Sequence, residues 1–506
     1  MKADSDNAAV ALGILIPLML LIMLVVFVVL IRQRQCPAGC LSKNMSVRHA
    51  DRLSMADSII PSSMDETNRN IMIAATSSLL IAAAFKSTEE KKETEKKEEI
   101  LGQAIFSGKV RILQSFDHLT YTAGKLQDCY SQMREKHGMY EALTKEMEAS
   151  DDELFFQTYR MSKEQMDFIA SCVSSLIEKN DTVMRPAIVA KCRLAMTLRF
   201  LASGDSMFSF PIAFRVSRAA LSGIIMETCQ ALWTVLQPLY MKPPTEEDLK
   251  LVSREFNDLW QFPNCIGAVD GKHCRIHKPP NSGSDYHNFH DFESIVLMAV
   301  VDARYRFLYI DVGAKGKEND STVFRRFSFG KALEVNRLPV PGDKELPNTS
   351  CPLPHIFIGD EAFPLKTNFL KPFSRYGDLT TDKKIFNYRL SRARRVVENT
   401  FGIIASRFRV LKSTMMGKLE TIDHIVKAVC VLHNFLMVTN AQNGNSYFTP
   451  VLVDREANGQ IIPGSWRRQS IPVLPSGNIS GNFSGRDALK IREAFKDYFC
   501  GVGRVP

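Results

Sequence analysis

Cys265-Ile-Gly-Ala-Val-Asp270 is an apolar run that closes on a carboxylate, and His355-Ile-Phe-Ile-Gly-Asp360 repeats the pattern further along the chain. Between them, Ser294-Ile-Val-Leu-Met-Ala-Val-Val301 and Phe307-Leu-Tyr-Ile310 read as two more strands around a turn at 302–306. Asp320-Ser321 opens a helix, and Tyr388 to Ala405 reads as a later one that contains Glu398.

Three strands, a helix, a strand and a helix is the order of an RNase H-like α/β domain with a mixed sheet. In such a sheet the first and fourth strands are neighbours, so Asp270 and Asp360 can converge. An acid at the end of an apolar strand has no packing value and must face water, a cation or a basic partner. A further carboxylate from a later helix completes an all-oxygen cage suited to Mg²⁺ or Mn²⁺. Plainer roles compete at each position. Asp360 can start a turn before Glu361-Ala362, and Glu398 can pair with Arg394 one helical turn back. Spacing alone does not choose between these readings.

Upstream the pattern is helical. Ser162 with Gln165 makes a capping box, followed by Met166, Ile169, Ala170, Val173, Leu176 and Ile177 at helical spacing. Pro186 opens another helix, which Gly204 stops. The stretch 205–232 has helix–turn–helix rhythm, with Ser217 as the cap of a helix whose exposed start carries Arg218, a candidate DNA contact. A simple helical bundle without DNA contact fits nearly as well. Residues 32–150 read as a variable arm, in which Lys86–Glu99 mixes five Lys with six Glu. Ala8 to Ile31 is an uncharged run of 24 residues, long enough to cross a bilayer. Arg32, Arg34 and Lys43 after it would leave the body of a single-pass protein in the cytosol. The competing reading is a segment foreign to that body, joined by fusion or by a misplaced exon. The expected divisions are therefore 1–31, 32–150, a helical DNA-binding domain at 151–255, a catalytic domain at 256–440, and a linker with a last helix at 441–506.

With 506 residues, 45% of them hydrophobic and 24% charged, the chain is globular in composition and long enough for two or three folded units. The net charge of +9 is mild, but Lys383 to Lys412 holds nine basic residues against one acid, Glu398. A polyanionic partner is thus expected for one stretch rather than for the whole protein. Arg389, Arg392, Arg394 and Arg395 around that acid suggest a DNA phosphate track, against the usual meaning of a solvated helix face. The eleven Cys contain no CxxC pair, so reduced thiols packed as small core residues are expected rather than disulfides or a zinc finger. His273, His277, His287 and His290 likewise lack the Cys partners of a zinc site. His273 is a weaker candidate for contact with DNA.

Four ordered motifs make the pattern specific: Gly267-Ala-Val-Asp-Gly-Lys-His273, Ile358-Gly-Asp-Glu-Ala-Phe-Pro-Leu365, Arg392-Ala-Arg-Arg-Val-Val-Glu-Asn-Thr-Phe-Gly402 and Val431-Leu-His-Asn-Phe435. Together they resemble PIF/Harbinger-type DDE transposases and the nucleases derived from them. Leu198-Arg-Phe-Leu-Ala-Ser-Gly-Asp205 and Phe262-Pro-Asn-Cys-Ile266 are also similar to this family, and Ile462-Pro-Gly-Ser-Trp466 is a weaker echo. The resemblance covers roughly residues 152–440. It implies a metal-dependent DNA endonuclease with a catalytic triad at Asp270, Asp360 and Glu398. It also implies Asp320 as an additional ligand for Mg²⁺ or Mn²⁺, in a segment where Lys317 and Asn319 stand at the family's Ser and His. A nuclear location, a Myb/SANT-like DNA-binding partner and a homo-oligomer are further expectations. A DNA-binding derivative that does not cut, or a membrane-tethered one, remains open at this point.

Overall fold

A computed structural model describes residues 133–504 apart from 184–185, 208, 375–378, 458–459 and 470–484. The apolar run at 8–31 and most of the 32–150 arm lie outside the described residues.

Helices come first: α1 (Asp152–Tyr159), α2 (Lys163–Ile177), α3 (Ala190–Ser203), α4 (Phe210–Phe214), α5 (Arg218–Tyr240) and α6 (Glu246–Trp260). The Ser162–Gln165 capping box forms as expected, and Thr245 with Asp248 makes a second one at the start of α6. Gly204 ends α3 in the left-handed region, at φ 66°. A Cβ there would also stand 2.8 Å from the Arg409 carbonyl oxygen, so the position has no room for another residue.

A sheet then follows, with β1 (Cys265–Arg275), β2 (Ser294–Val301), β3 (Phe307–Lys315), α7 (Asp320–Arg326), α8 (Ser328–Glu334), the short β4 (Lys344–Glu345) and β5 (Pro352–Leu353), β6 (Ile356–Ile358) and β7 (Phe369–Leu370). The long helices α9 (Thr381–Arg407) and α10 (Leu419–Gln442), the hairpin β8 (Arg455–Ala457) and β9 (Gln460–Ile462), and α11 (Arg486–Cys500) complete the order. The main sheet runs β3-β2-β1-β6-β7, antiparallel between β1, β2 and β3 and parallel from β1 to β6 and β7. The expected mixed α/β sheet is present.

The sequence of β2 is apolar throughout because both faces of the sheet are covered. Ile295, Leu297, Ala299 and Val301 enter the larger core, shared with α2, α3, α5, α9 and α10. Val296, Met298 and Val300 enter a second core built on Phe324, Phe327, Phe329, Phe357, Phe363 and Phe369. Strand alternation thus sorts one apolar run into two cores.

The helical region does not form a lobe of its own. Its buried residues belong to the same core as β1 and β2, and the expected boundary at 255/256 falls inside α6. The helix–turn–helix rhythm at 205–232 corresponds to α4 and α5. Ser217 caps α5 as expected, with Ala220 N donating to its Oγ at 3.1 Å, and Arg218 is exposed in the first turn. Beyond that turn, Leu221, Ile224, Ile225, Cys229, Leu232 and Leu236 are buried, and Tyr240 packs edge-on to Phe435 of α10. Among the described residues, α5 and α10 are the helices long and apolar enough to cross a membrane, and their apolar faces are used against each other.

The Val431–Phe435 motif serves the fold. His433 Nε2 lies 2.7 Å from the Tyr305 carbonyl oxygen, while Asn434 accepts from Phe307 N and donates to the carbonyls of Phe307 and Tyr240. These bonds fasten the β2–β3 turn to α10 and α5.

Candidate metal centre

The parallel register pairs Ala268 of β1 with Ile358 of β6. Two residues further along each chain stand Asp270 and Asp360, so the register itself sets the two acids side by side. Asp270 does not end its strand, as the sequence suggested. β1 continues to Arg275 because β2 keeps pairing with it, from Asp270↔Ala299 to Arg275↔Ser294. What ends near Asp270 is the shorter parallel neighbour β6. Asp360 takes the plainer role too: its Oδ1 accepts from Ala362 N at 2.9 Å and starts the turn.

Asp320 arrives from the first turn of α7. The cap of that helix is Asn319, whose Oδ1 accepts from Thr322 N at 2.9 Å. The departure from the family's His therefore has a local use, and it leaves the Asp320 carboxylate free to face β1. A Cβ at position 271 would collide with Asp320 Oδ1, so Gly271 makes the space that this acid occupies. One ligand atom from each of Asp270, Asp320 and Asp360 lies within 4.8 Å of the others.

Bringing three carboxylates together under partial burial is electrostatically costly. Burial, then the charges of Asp360, Glu398 and Asp320, lift Asp270 well above the usual carboxylate range, with Arg394 pulling the other way. Burial and then Asp360 push Asp320 up to about 7. An all-oxygen donor set under such repulsion fits a hard divalent cation, which would relieve it.

Glu398 is held differently. Arg394 clasps its Oε1, and Arg467 donates to its Oε2 at 2.5 Å. Burial would raise this acid, but the two guanidinium groups outweigh it and hold Glu398 below its ordinary value. Arg394 Nη1 also donates to Asp270 Oδ2 at 3.1 Å. The i−4 pair anticipated between Arg394 and Glu398 therefore exists and extends across to the aspartates. Three of the four expected ligands converge, with the Arg394 guanidinium between Glu398 and Asp270.

Residues 269–434 match the family described as DDE superfamily endonuclease. The chain is 26% identical to "Protein ALP1-like" of Arabidopsis thaliana over 306 residues, 57% of this chain and 72% of that protein. It is 24% identical to "Putative nuclease HARBI1" of Homo sapiens over 286 residues, 56% of this chain and 77% of that protein. The chain carries a DDE endonuclease domain of the Harbinger type. No solved structure matches it.

Within this DDE endonuclease domain, the arginines expected to track phosphates point inward. Arg389 is 2% exposed, bonds the carbonyls of Gln261 and Gly503, and lies over the Phe499 ring at 4.6 Å. Arg395 is also buried and reaches Glu456 at 3.4 Å, and Arg392 pairs with the same carboxylate at 2.9 Å. Arg394 is spent on the acids. The reason is that α9 is packed against β1 and α11, so its cations meet carboxylates and carbonyls brought from elsewhere in the chain.

His273 is half-buried, with Nδ1 2.9 Å from Ser294 Oγ and its ring edge-on to Phe289 and His290. Burial, and then His290 and Lys272, lower it to about 4, which fits a neutral packing residue. Among the described residues the candidate metal group consists of aspartates alone, and the four histidines do not join one.

Sequence reasoning missed Arg467 and Asp454. The guanidinium of Arg467 spans both oxygens of buried Asp454, at 2.9 Å from Nε to each, before reaching Glu398. Trp466 Nε1 and Asp454 N both donate to Asn399 Oδ1 at 3.0 Å, which docks this segment beside Glu398. It lies beyond the matched 269–434. The available signal was the Ile462–Trp466 echo, which stops one residue short of Arg467.

Proposed function

We propose that this chain is a metal-dependent DNA endonuclease of the Harbinger transposase type. The observation that carries the reading is the meeting of Asp270, Asp320 and Asp360, from a strand, a helix start and a strand–turn junction, within 4.8 Å. The sheet order β3-β2-β1-β6-β7, with its parallel pair at β1 and β6, supports an RNase H-like catalytic fold.

Asp270, Asp320 and Asp360 would hold Mg²⁺ or Mn²⁺, with Glu398 as the fourth acid. The cation would supply Lewis acidity toward a phosphodiester and ease attack by water or a 3′-hydroxyl. Arg394 balances the charge of Asp270 and Glu398, and Arg467 keeps Glu398 ionised and fixed on α9. DNA is the substrate this reading requires, and a nuclear location follows from it. A Myb/SANT-like partner, self-association and a membrane attachment through 8–31 belong to the same proposal as open additions.

The ion pairs of Arg394 favour one other reading. A guanidinium that already neutralises Asp270 and Glu398 suits a derivative that binds DNA without cutting it. A nicking assay on supercoiled DNA decides between the two. Mg²⁺-dependent nicking by the full chain, lost in D270N and D360N, is expected; DNA binding with no nicking in Mg²⁺ or Mn²⁺ overturns the nuclease reading.

A further inference from the structure

The basic excess between Lys383 and Lys412 is not explained by the inward arginines alone, because its last members, Arg409 and Lys412, are exposed. The segment carrying them is tied to two other parts of the fold. Met415 N donates to Arg275 O at 3.0 Å and His277 N to Met415 O at 2.9 Å, which lays the segment against the end of β1. Ser413 Oγ donates to Gly204 O at 3.0 Å, which joins it to the end of α3. On β1 itself, Lys272 is two residues from Asp270 and so shares its face of the strand.

These ties gather cations from distant parts of the sequence. Burial, then Arg409, Arg407 and Arg199, lower Arg160, just after α1; burial, then Arg409 and Lys272, lower Lys412. Among the described residues, Lys272, Arg160, Arg407 and Arg409 form no ion pair with an acid, and the buried Nε of Arg160 has no hydrogen-bond partner. Arg199 lies 3.7 Å from Asp205. Arg407 is occupied by the Tyr447 carbonyl and by the rings of Phe156 and Tyr447.

We propose that Lys272, Lys412, Arg409, Arg199 and Arg160 form a phosphate track for duplex DNA that ends at the aspartate cluster. The step rests on the nuclease reading for its substrate. A row of cations that repel one another lowers folded stability unless a polyanion lies along it. Its continuity with Asp270 on one strand face favours the polymer whose phosphodiester the aspartates would engage. This track replaces the one expected along Arg389, Arg392, Arg394 and Arg395.

The test is affinity as a function of salt. Full-length chain and the triple variant R160Q/R409Q/K412Q are titrated with duplexes of two unrelated sequences, in Ca²⁺, across salt concentrations. Every phosphate deprived of its cation should lower the slope of log K against log salt by about 0.9, so the triple variant should lose about 2.7, alike for both sequences. The charge-retaining R160K/R409K should keep the slope. An unchanged slope in a triple variant that melts like the wild type overturns the track. If the triple variant does not fold, the exposed single K412Q must still lose about 0.9. Nicking in Mg²⁺ is followed in parallel. Cleavage with unchanged slopes sinks the track alone, while altered slopes with no cleavage sink the nuclease reading alone. Tighter binding of an RNA duplex than of DNA at equal salt overturns the choice of DNA.

Discussion

Arg394 donates to Asp270 Oδ2 at 3.1 Å with the same guanidinium that clasps Glu398. One side chain thereby balances two acids of the expected triad and raises its own hold on its proton, since Glu398, Asp270 and Asp360 outweigh the effect of burial. Replacing Arg394 with Gln removes the cation that Asp270 and Glu398 share and leaves Glu398 with Arg467 alone. Breaking a buried pair from one side costs about 3–5 kcal/mol, because it strands the other charge. R394Q should therefore unfold at distinctly lower denaturant at pH 8 in EDTA, and added Mg²⁺ should recover more stability in the variant than in the wild type. Equal recovery in both would separate Arg394 from the cation site.

The acids themselves divide chemistry from stability. D270N, D360N and E398Q should each abolish nicking, since each removes a charge without changing volume. D320N should weaken nicking and cation binding yet stabilise the chain in EDTA at pH 8. An acid with a raised pKa favours the fold below its unfolded value and loses that contribution as pH rises through the folded value, here about 7. Above that pH the charged carboxylate opposes folding by up to about 4 kcal/mol, and Asn does not. Chemical denaturation at pH 8 checks the sign; a D320N protein less stable than wild type there would remove the repulsion argument.

Gly271 and Asp320 test the same site through space alone. Ala at 271 puts a Cβ where Asp320 Oδ1 now stands. The carboxylate must swing out, so G271A should lose Mn²⁺ affinity at least tenfold, about 1.4 kcal/mol, while keeping its fold. Isothermal titration with Mn²⁺ reads this directly. Wild-type affinity in G271A would mean that Asp320 is not a ligand.

His433 should add one acid-sensitive contribution to stability far from those carboxylates. It is fully buried and donates to the Tyr305 carbonyl, and burial lowers it to about 4. The unfolded chain takes up a proton near the ordinary His value of about 6.5, so stability is complete above that pH and falls as pH drops toward 4. The loss over that window should be about 3 kcal/mol for this residue, and H433Q should remove that share while the share of His273, which burial also lowers to about 4, persists. Denaturation midpoints measured from pH 7 to pH 4 give the slope.

How much of this was legible in the sequence depends on where each residue's partners lie. The strands and their acids were readable because β1, β2 and β6 are apolar through their cores, while Asp270 interrupts β1 and Asp360 follows β6. Register then did what no propensity can, setting Asp270 opposite Asp360 through Ala268↔Ile358. The helical region was readable as helices but not as part of the same core, since the packing of α5 on α10 spans about two hundred residues of chain. The arginines of α9 failed for the same reason. A basic run looks solvated until Gln261, Glu456 and Gly503 arrive from elsewhere to meet it. Arg467 was invisible because its partners, Asp454 and Glu398, make sense only after the C-terminal segment has docked.

Arg389 gives the sharpest separation between the track read from sequence and the one built by the fold. Its guanidinium bonds two backbone carbonyls and covers the Phe499 ring from a position 2% exposed. R389Q leaves those carbonyls short of a charged donor and opens space against α11, so it should lose about 2–3 kcal/mol of stability. It should not change the salt dependence of DNA binding, because a phosphate cannot reach a buried guanidinium without unfolding the helix packing. The comparison is made below the melting temperature of the variant, with K412Q beside it. A slope lowered by about 0.9 in R389Q and unchanged in K412Q would reverse the assignment, placing DNA along α9 and leaving the segment after it as plain surface.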